Sequence, residues 1–137
     1  MNKIDVFVYG TLKPGERNYL NYCEGKTIKE TKAYTWGELY HLSLGYPAMT
    51  EGNKKIEGYL LTFADANILT SLDVLEDYAR ARSPELNQYY RQQVPVYNLT
   101  DDFLGSAWVY LMSLEKIKQL RGIPLNCGSW NSRLIIN

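Results

Sequence analysis

Two groups in this chain have types suited to acyl chemistry, and they lie far apart in sequence. The first is Tyr9-Gly10-Thr11-Leu12, which follows an alternating run in which Ile4, Val6 and Val8 interleave with Asp5, Phe7 and Tyr9, the period of two of a strand. Gly10 permits backbone angles that a residue with a Cβ resists, and the turn it begins is expected to leave the amides of Gly10, Thr11 and Leu12 without strand partners. Unpaired amides at a strand end form a cradle for a carboxylate or an oxyanion. The second is Glu76. On a helical wheel set by Ile68, Leu69, Leu72 and Leu75, Glu76 falls about 50° from the apolar direction, Asp73 about 110° and Asp77 about 150°. Glu76 therefore borders the buried stripe, near a helix C-terminus whose dipole disfavours negative charge. Desolvation and the dipole both raise a carboxyl pKa toward the range of a general acid/base. The helix by itself favours a plainer role, a carboxylate at the core margin bonded to a tyrosine or a backbone amide. Asp73 reads as structural, bonding loop amides or capping a neighbouring element.

The elements that must position these groups are mostly strands. Residues 4–9 are expected as the first, followed by a short helical turn over 16–22. Strands are expected at 26–34 and 36–42 with a bulge at Gly37, then a loop over 43–49 marked by Gly45 and Pro47. Further strands are expected at 55–63, 89–97 and 106–112, with Pro95 confining its strand to an edge or a bulge. One helix begins at Asp65 or Ala66, a second covers 114–120 and ends near Gly122, and 78–88 is a charged loop holding Pro84. Six or so strands with one strongly signalled helix indicate a mixed α+β fold, a curled sheet or small barrel. With 137 residues and no linker or repeat, the expected organisation is one domain over residues 1–137.

Composition narrows the function. Lys+Arg and Asp+Glu both count 15, so no basic excess points to nucleic acid or to an anionic membrane surface. Asp5 interrupts the first apolar run, and no run approaches the ~18 residues of a membrane span. A soluble, cytoplasmic protein is expected, with Cys23 and Cys127 reduced. Those two thiols and the single His41 make a poor metal set. Twelve tyrosines point to a wet, polar-lined cavity, although sheet preference also enriches tyrosine.

Other constellations carry less. Gly10-x-x-x-x-Gly15 opens like a phosphate loop, but Glu16-Arg17 stands where Lys-Ser/Thr is required, so nucleotide binding is not expected. Tyr9, ending its strand at the cradle, reads as a pocket wall ahead of a core filler. Tyr46 and Pro47 form a pocket rim or merely a turn. Arg91 reads as a surface ion pair ahead of a partner for a substrate carboxylate. Tyr97 and Tyr110 read as core, His41 as strand decoration, and Cys23 and Cys127 as packing residues.

Several stretches together resemble the gamma-glutamylcyclotransferase-like superfamily, which includes gamma-glutamylcyclotransferase and gamma-glutamylamine cyclotransferase. They are Val6-Phe7-Val8-Tyr9-Gly10-Thr11-Leu12-Lys13-Pro14-Gly15 with Asn18, Gly45-Tyr46-Pro47-Ala48, Glu57-Gly58-Tyr59-Leu60, and Leu72-Asp73-Val74-Leu75-Glu76-Asp77-Tyr78. Tyr90-Arg91, Val94-Pro95-Val96, Ala107-Trp108-Val109-Tyr110 and Gly128-Ser129-Trp130 complete the set in family order. The resemblance implies a small mixed β-barrel with flanking helices. It implies that Tyr9, Gly10, Thr11 and Leu12 bind the glutamyl end of a substrate and that Glu76 is the catalytic glutamate. It further implies release of 5-oxoproline from a gamma-glutamyl amine or amino acid, with no metal, cofactor or covalent enzyme intermediate. Asp77 departs from the pattern, standing where many relatives carry glycine, and residues 79–88 are unusually charged.

The implied chemistry suits these residues. A glutamyl amine that attacks its own side-chain carbonyl needs a base, its leaving amine needs an acid, and the tetrahedral oxygen needs donors. The alternative is a non-catalytic module that binds a small acidic metabolite on the same scaffold; an interaction protein with a vestigial pocket is a third reading.

Overall fold

The computed structural model describes residues 3–133. Five strands close a barrel: β1 (Ile4–Val8), β2 (Thr27–His41), β3 (Pro47–Phe63), β4 (Tyr90–Asn98) and β5 (Phe103–Leu111). Their order is β3-β1-β5-β4-β2, and a β2–β3 ladder completes the ring. A two-residue strand β6 (Ile123–Pro124) extends the sheet at the far end of β2. β1 and β5 run parallel and the other paired strands antiparallel, so the barrel is mixed. Helices α1 (Tyr19–Tyr22), α2 (Ile68–Leu75) and α3 (Leu114–Gln119) flank it. Among the described residues no helix is long and apolar enough to cross a membrane.

Alternation within β1 sorts side chains between two cores. Phe7 joins Ala33, Leu39, Met49, Ile56, Leu60, Val96 and Val109, residues drawn from all five barrel strands, in the barrel interior. Val6 and Val8 point the other way and meet Leu61, Phe63, Ile68, Leu72 and Ile117 beneath the helices. β1 is thus covered on both faces, and Val6, Phe7 and Val8 are all buried. Complete burial of side chains of this size contributes roughly 1.5–3 kcal/mol each.

The β2–β3 hairpin differs from the sequence expectation in extent. The segments expected as two strands at 26–34 and 36–42 are one strand, with a register shift between Gly37 and Glu38. β3 begins at Pro47, inside the expected loop, and pairs with His41. Proline is tolerated at the first residue of a strand, and Gly45, at φ +94°, supplies the left-handed residue of the preceding turn. α2 starts later than expected, because Asp65 instead forms a turn in which its Oδ1 accepts from the Asn67 amide at 2.9 Å. At Pro95 the Thr35 hydroxyl donates to the Pro95 carbonyl at 2.6 Å, and the β4 register shifts between Val96 and Tyr97.

Gly58 marks the tightest point of the ring, where β3 pairs with β1 on one side and β2 on the other. A Cβ there would stand 2.2 Å from the Val8 carbonyl oxygen and 3.0 Å from Phe7 Cζ. Backbone cannot yield as a flexible side chain does. Gly58→Ala is expected to destabilise the protein by about 3 kcal/mol, read as a lower urea midpoint at unchanged m-value.

Candidate active site

β1 ends at Val8, and the chain then turns away from the barrel through Gly10, Thr11 and Leu12. The loop is held by its carbonyls: the Lys13 amide donates to Gly10 O at 3.1 Å and the Asn18 amide to Thr11 O at 2.9 Å. Asn18 Nδ2 also donates to Thr11 Oγ1 at 2.9 Å, and Lys13 Nζ donates to the Trp130 carbonyl. The amides of Gly10, Thr11 and Leu12 have no protein acceptor among the described residues. The loop is therefore rigid on its acceptor side and open on its donor side. Gly10 is needed for a different reason than its sequence reading gives. Its φ is not left-handed; instead a Cβ would lie 2.6 Å from Pro47 Cγ. Pro47, the first residue of β3, closes directly over the turn.

Glu76 is the first residue past α2, with φ −86° and ψ 4°. The helix end places it. Asp77 adopts the left-handed conformation at φ 52°, Tyr78 N donates to Asp73 O at 2.9 Å and Asp77 N to Val74 O at 3.2 Å, the two bonds of a Schellman motif. Asp77 thus fills a position that favours glycine, consistent with its departure from the family pattern. Arg82 holds it there, donating to both the Asp77 carbonyl and, at 3.0 Å, the Asp77 carboxylate. The charged 78–88 segment folds on buried Asn87, whose Oδ1 accepts from the Ala79 amide at 3.0 Å and from Arg82 Nε at 2.7 Å.

Glu76 and the open amides line one cavity of about 300 Å³, together with Tyr46, Pro47, Leu75 and Tyr89. This volume lies at the small end of ligand pockets. Glu76 is half-buried and lines the cavity, and its carboxylate accepts no hydrogen bond among the described residues. Burial pushes its pKa up to about 7. The cause is desolvation by burial.

The tyrosines around Glu76 are committed elsewhere. Tyr9 donates to the Tyr110 carbonyl at 2.6 Å and accepts from the Met49 amide at 3.1 Å, so its ring lies at the cavity and its hydroxyl in the core. Tyr89 donates to the Pro47 carbonyl at 2.7 Å and Tyr110 to Asp73 at 2.6 Å. Gln88 donates to the Tyr46 hydroxyl. Burial raises the pKa of Tyr9, Tyr89 and Tyr110 well above the usual phenol value, with the charge of Glu76 adding at Tyr9 and Tyr89 and the hydrogen-bonded Asp73 carboxylate at Tyr110, so they stay protonated. Asp73 is structural, but it takes side chains instead of loop amides: besides Tyr110 it accepts from Arg91 Nε at 2.9 Å. Arg91 lies over the rings of Trp108 and Tyr78, 4.7 and 5.4 Å from their centroids. It is a half-buried brace between α2 and β4, and does not line the cavity.

All the residues singled out for the site from sequence, Tyr9, Gly10, Thr11, Leu12, Tyr46, Pro47 and Glu76, meet at this cavity. Sequence reasoning did not assign Arg17, Gln88 and Tyr89 to it. Of these Tyr89 carried a signal through its place at the start of an alternating strand and Gln88 through the unusually charged 79–88 segment it ends, whereas Arg17 carried none. His41 is more than decoration, since its Nδ1 accepts from Trp130 Nε1 at 3.0 Å. Cys23 is a buried thiol whose pKa burial pushes up to about 12, whereas Cys127 is exposed and fills no core. No three His, Cys, Asp or Glu side chains among the described residues cluster as a metal site requires.

Known proteins resemble this chain in sequence and in fold. A Vibrio cholerae relative that carries a provisional gamma-glutamylcyclotransferase name is 28% identical over 132 residues, covering 94% of this chain and 96% of the relative. The Niallia circulans gamma-L-glutamyl-butirosin B gamma-glutamyl cyclotransferase is 30% identical over 106 residues, 77% of this chain and 66% of that protein. Among solved structures, an AIG2-like protein of Mus musculus superposes with TM-score 0.67 at 19% identity, over 98% of this chain and 92% of that one. YkqA of Bacillus subtilis superposes with TM-score 0.64 at 22% identity over 94% of this chain, which spans only 40% of YkqA. The family profile described as gamma-glutamyl cyclotransferase, AIG2-like, matches residues 6–132, and the chain belongs to that family.

Proposed function

We propose that this protein releases 5-oxoproline from a gamma-glutamyl amide by intramolecular aminolysis, with Glu76 as general acid/base. The observation that carries the reading is one cavity holding a partnerless carboxylate raised to about 7 and three free main-chain donors. The names of the Vibrio and Niallia relatives support it. The amides of Gly10, Thr11 and Leu12 receive the glutamyl end, with Tyr9, Tyr46 and Pro47 shaping the walls. Glu76 takes a proton from the glutamyl ammonium. The freed amine attacks its own side-chain carbonyl, forming a C–N bond, and the oxygen's negative charge falls to the amides. Glu76 then passes its proton to the leaving nitrogen, the original amide C–N bond breaks, the carboxylate so freed takes the second proton from the ring nitrogen and hands it to the departing amine, and 5-oxoproline and the protonated amine depart. Nucleophile and electrophile belong to one molecule, so the site chiefly holds a folded conformer. With every buried tyrosine hydroxyl engaged, Glu76 is the cavity group free to exchange protons near neutrality.

Incubation with a panel of gamma-glutamyl amino acids and amines, analysed by mass spectrometry, is expected to yield 5-oxoproline. Saturable binding without product across the panel would instead identify a binding module. Glu76→Gln is expected to lower turnover about a thousandfold. The same variant should be more stable than the wild type above pH 7. A carboxyl whose folded pKa is raised binds more protons when folded, so wild-type stability falls as pH climbs from the unfolded value through about 7. The gain in Glu76→Gln therefore disappears toward pH 4.5, as thermal melts across pH will test.

The acid limb of kcat/KM is expected to rise with unit slope and level off near pH 7, following ionisation of Glu76. A limb lower by two units or more would exclude Glu76 as the base. Gly10→Ala forces the turn off Pro47, and a displacement of about 1 Å at the donors is expected to lower kcat/KM about a hundredfold while circular dichroism stays unchanged.

A further inference from the structure

Resting on the cyclotransfer reading, we infer that Arg17 senses the charge of the leaving amine, so that gamma-glutamyl amides with a carboxylate on the leaving group are preferred. Of the residues lining the cavity, Arg17 is the only cation and Glu76 the only acid. Its polar neighbours are already engaged: Asn18 Nδ2 donates to Thr11 Oγ1, and Gln88 Nε2 to the Tyr46 hydroxyl. The Arg17 guanidinium has no ion pair and no hydrogen-bond acceptor among the described residues. A lining cation that pairs with nothing in its own chain is available to a ligand.

Its position decides which part of the ligand. Gly10 and Leu12 are buried and Arg17 is exposed, so the free amides lie inward and the guanidinium at the mouth. Arg17 Nη1 lies 3.8 Å from where a Cβ on Gly45 would stand. The guanidinium thus lies beside the turn that presents Tyr46, another residue of the cavity lining. A glutamyl chain curled onto the amides and Glu76 directs the nitrogen that leaves its carbonyl toward that mouth. A carboxylate one or two carbons beyond this nitrogen meets the planar fork of an arginine, a geometry that suits two parallel hydrogen bonds. A neutral alkylamine gains nothing there, and a cationic leaving group is repelled.

The test uses three probes with the same gamma-glutamyl head and different leaving amines: glycine, methylamine and ethylenediamine. Each is assayed for 5-oxoproline release and, separately, for calorimetric binding, with the wild type, Arg17→Ala and Arg17→Glu. The wild type is expected to favour the glycine compound over the methylamine compound about tenfold, chiefly through KM, and the preference should shrink at about 1 M salt. Arg17→Ala should reduce the ratio to about two, and Arg17→Glu should invert the series in favour of ethylenediamine. An order unchanged in Arg17→Glu overturns the inference. So does an equal loss for all three probes, which would mean that Arg17 holds the glutamyl head. If none of the probes yields 5-oxoproline, the cyclotransfer reading fails, and the binding constants still decide the role of Arg17. Their ordering by charge, reversed in Arg17→Glu, upholds it; no ordering, or no binding, overturns it.

Discussion

The Tyr9 hydroxyl is the junction on which the cavity depends. It joins β1, through its own ring, to the Tyr110 carbonyl on β5 and to the Met49 amide on β3. Both partners are buried main-chain groups, and a buried polar group left unpaired costs about 1–3 kcal/mol. Because all three are satisfied together, the end of β1 has one position relative to the barrel. The loop that follows is then fixed over Pro47, and its donors face the space into which α2 delivers Glu76.

A second brace works from the opposite wall. Asp73, one turn before Glu76, accepts from Tyr110 and from Arg91, and Arg91 is held against Trp108 and Tyr78. α2 is only eight residues long, too short to be stable alone in water. Its apolar side supplies burial through Ile68 and Leu72, and the Asp73 contacts fix its end. The site therefore combines an unpartnered carboxylate and open loop amides with tyrosine hydroxyls that are engaged elsewhere. That contrast accounts for the electrostatics: Glu76 loses water without gaining a compensating donor, and its pKa rises.

Much of this was legible in the chain itself. The alternation of β1, the turn at Gly10, and the angle of Glu76 from the apolar stripe are local properties, and local spacing reports them. The mixed barrel also followed from the elements and the family resemblance. What spacing could not report were contacts between distant segments. Gly10 is required by Pro47, a residue far along the chain that sequence reading assigned to a loop. Arg91 looked like a surface residue until Asp73, Tyr78 and Trp108 were brought around it. The extent to which Glu76 is buried depends on walls distant in sequence, Pro47 of β3, Tyr89 just before β4 and Tyr110 of β5. Arg17 carried no signal at all, because an arginine in a loop is usually solvated and only a cavity gives it a purpose.

The parallel alignment of β1 with β5 has a kinetic consequence. Val6 faces Trp108 in that ladder, and the Tyr9–Tyr110 bond spans 101 positions. Such a closure comes at high contact order, the regime of slow folding. The donors near the start of the chain therefore find their wall only once β5 has been synthesised and docked. A nascent or clipped chain lacking β5 has the glutamate and the glycine turn but no chamber between them. The closed cavity and the completed barrel thus arrive in a single step.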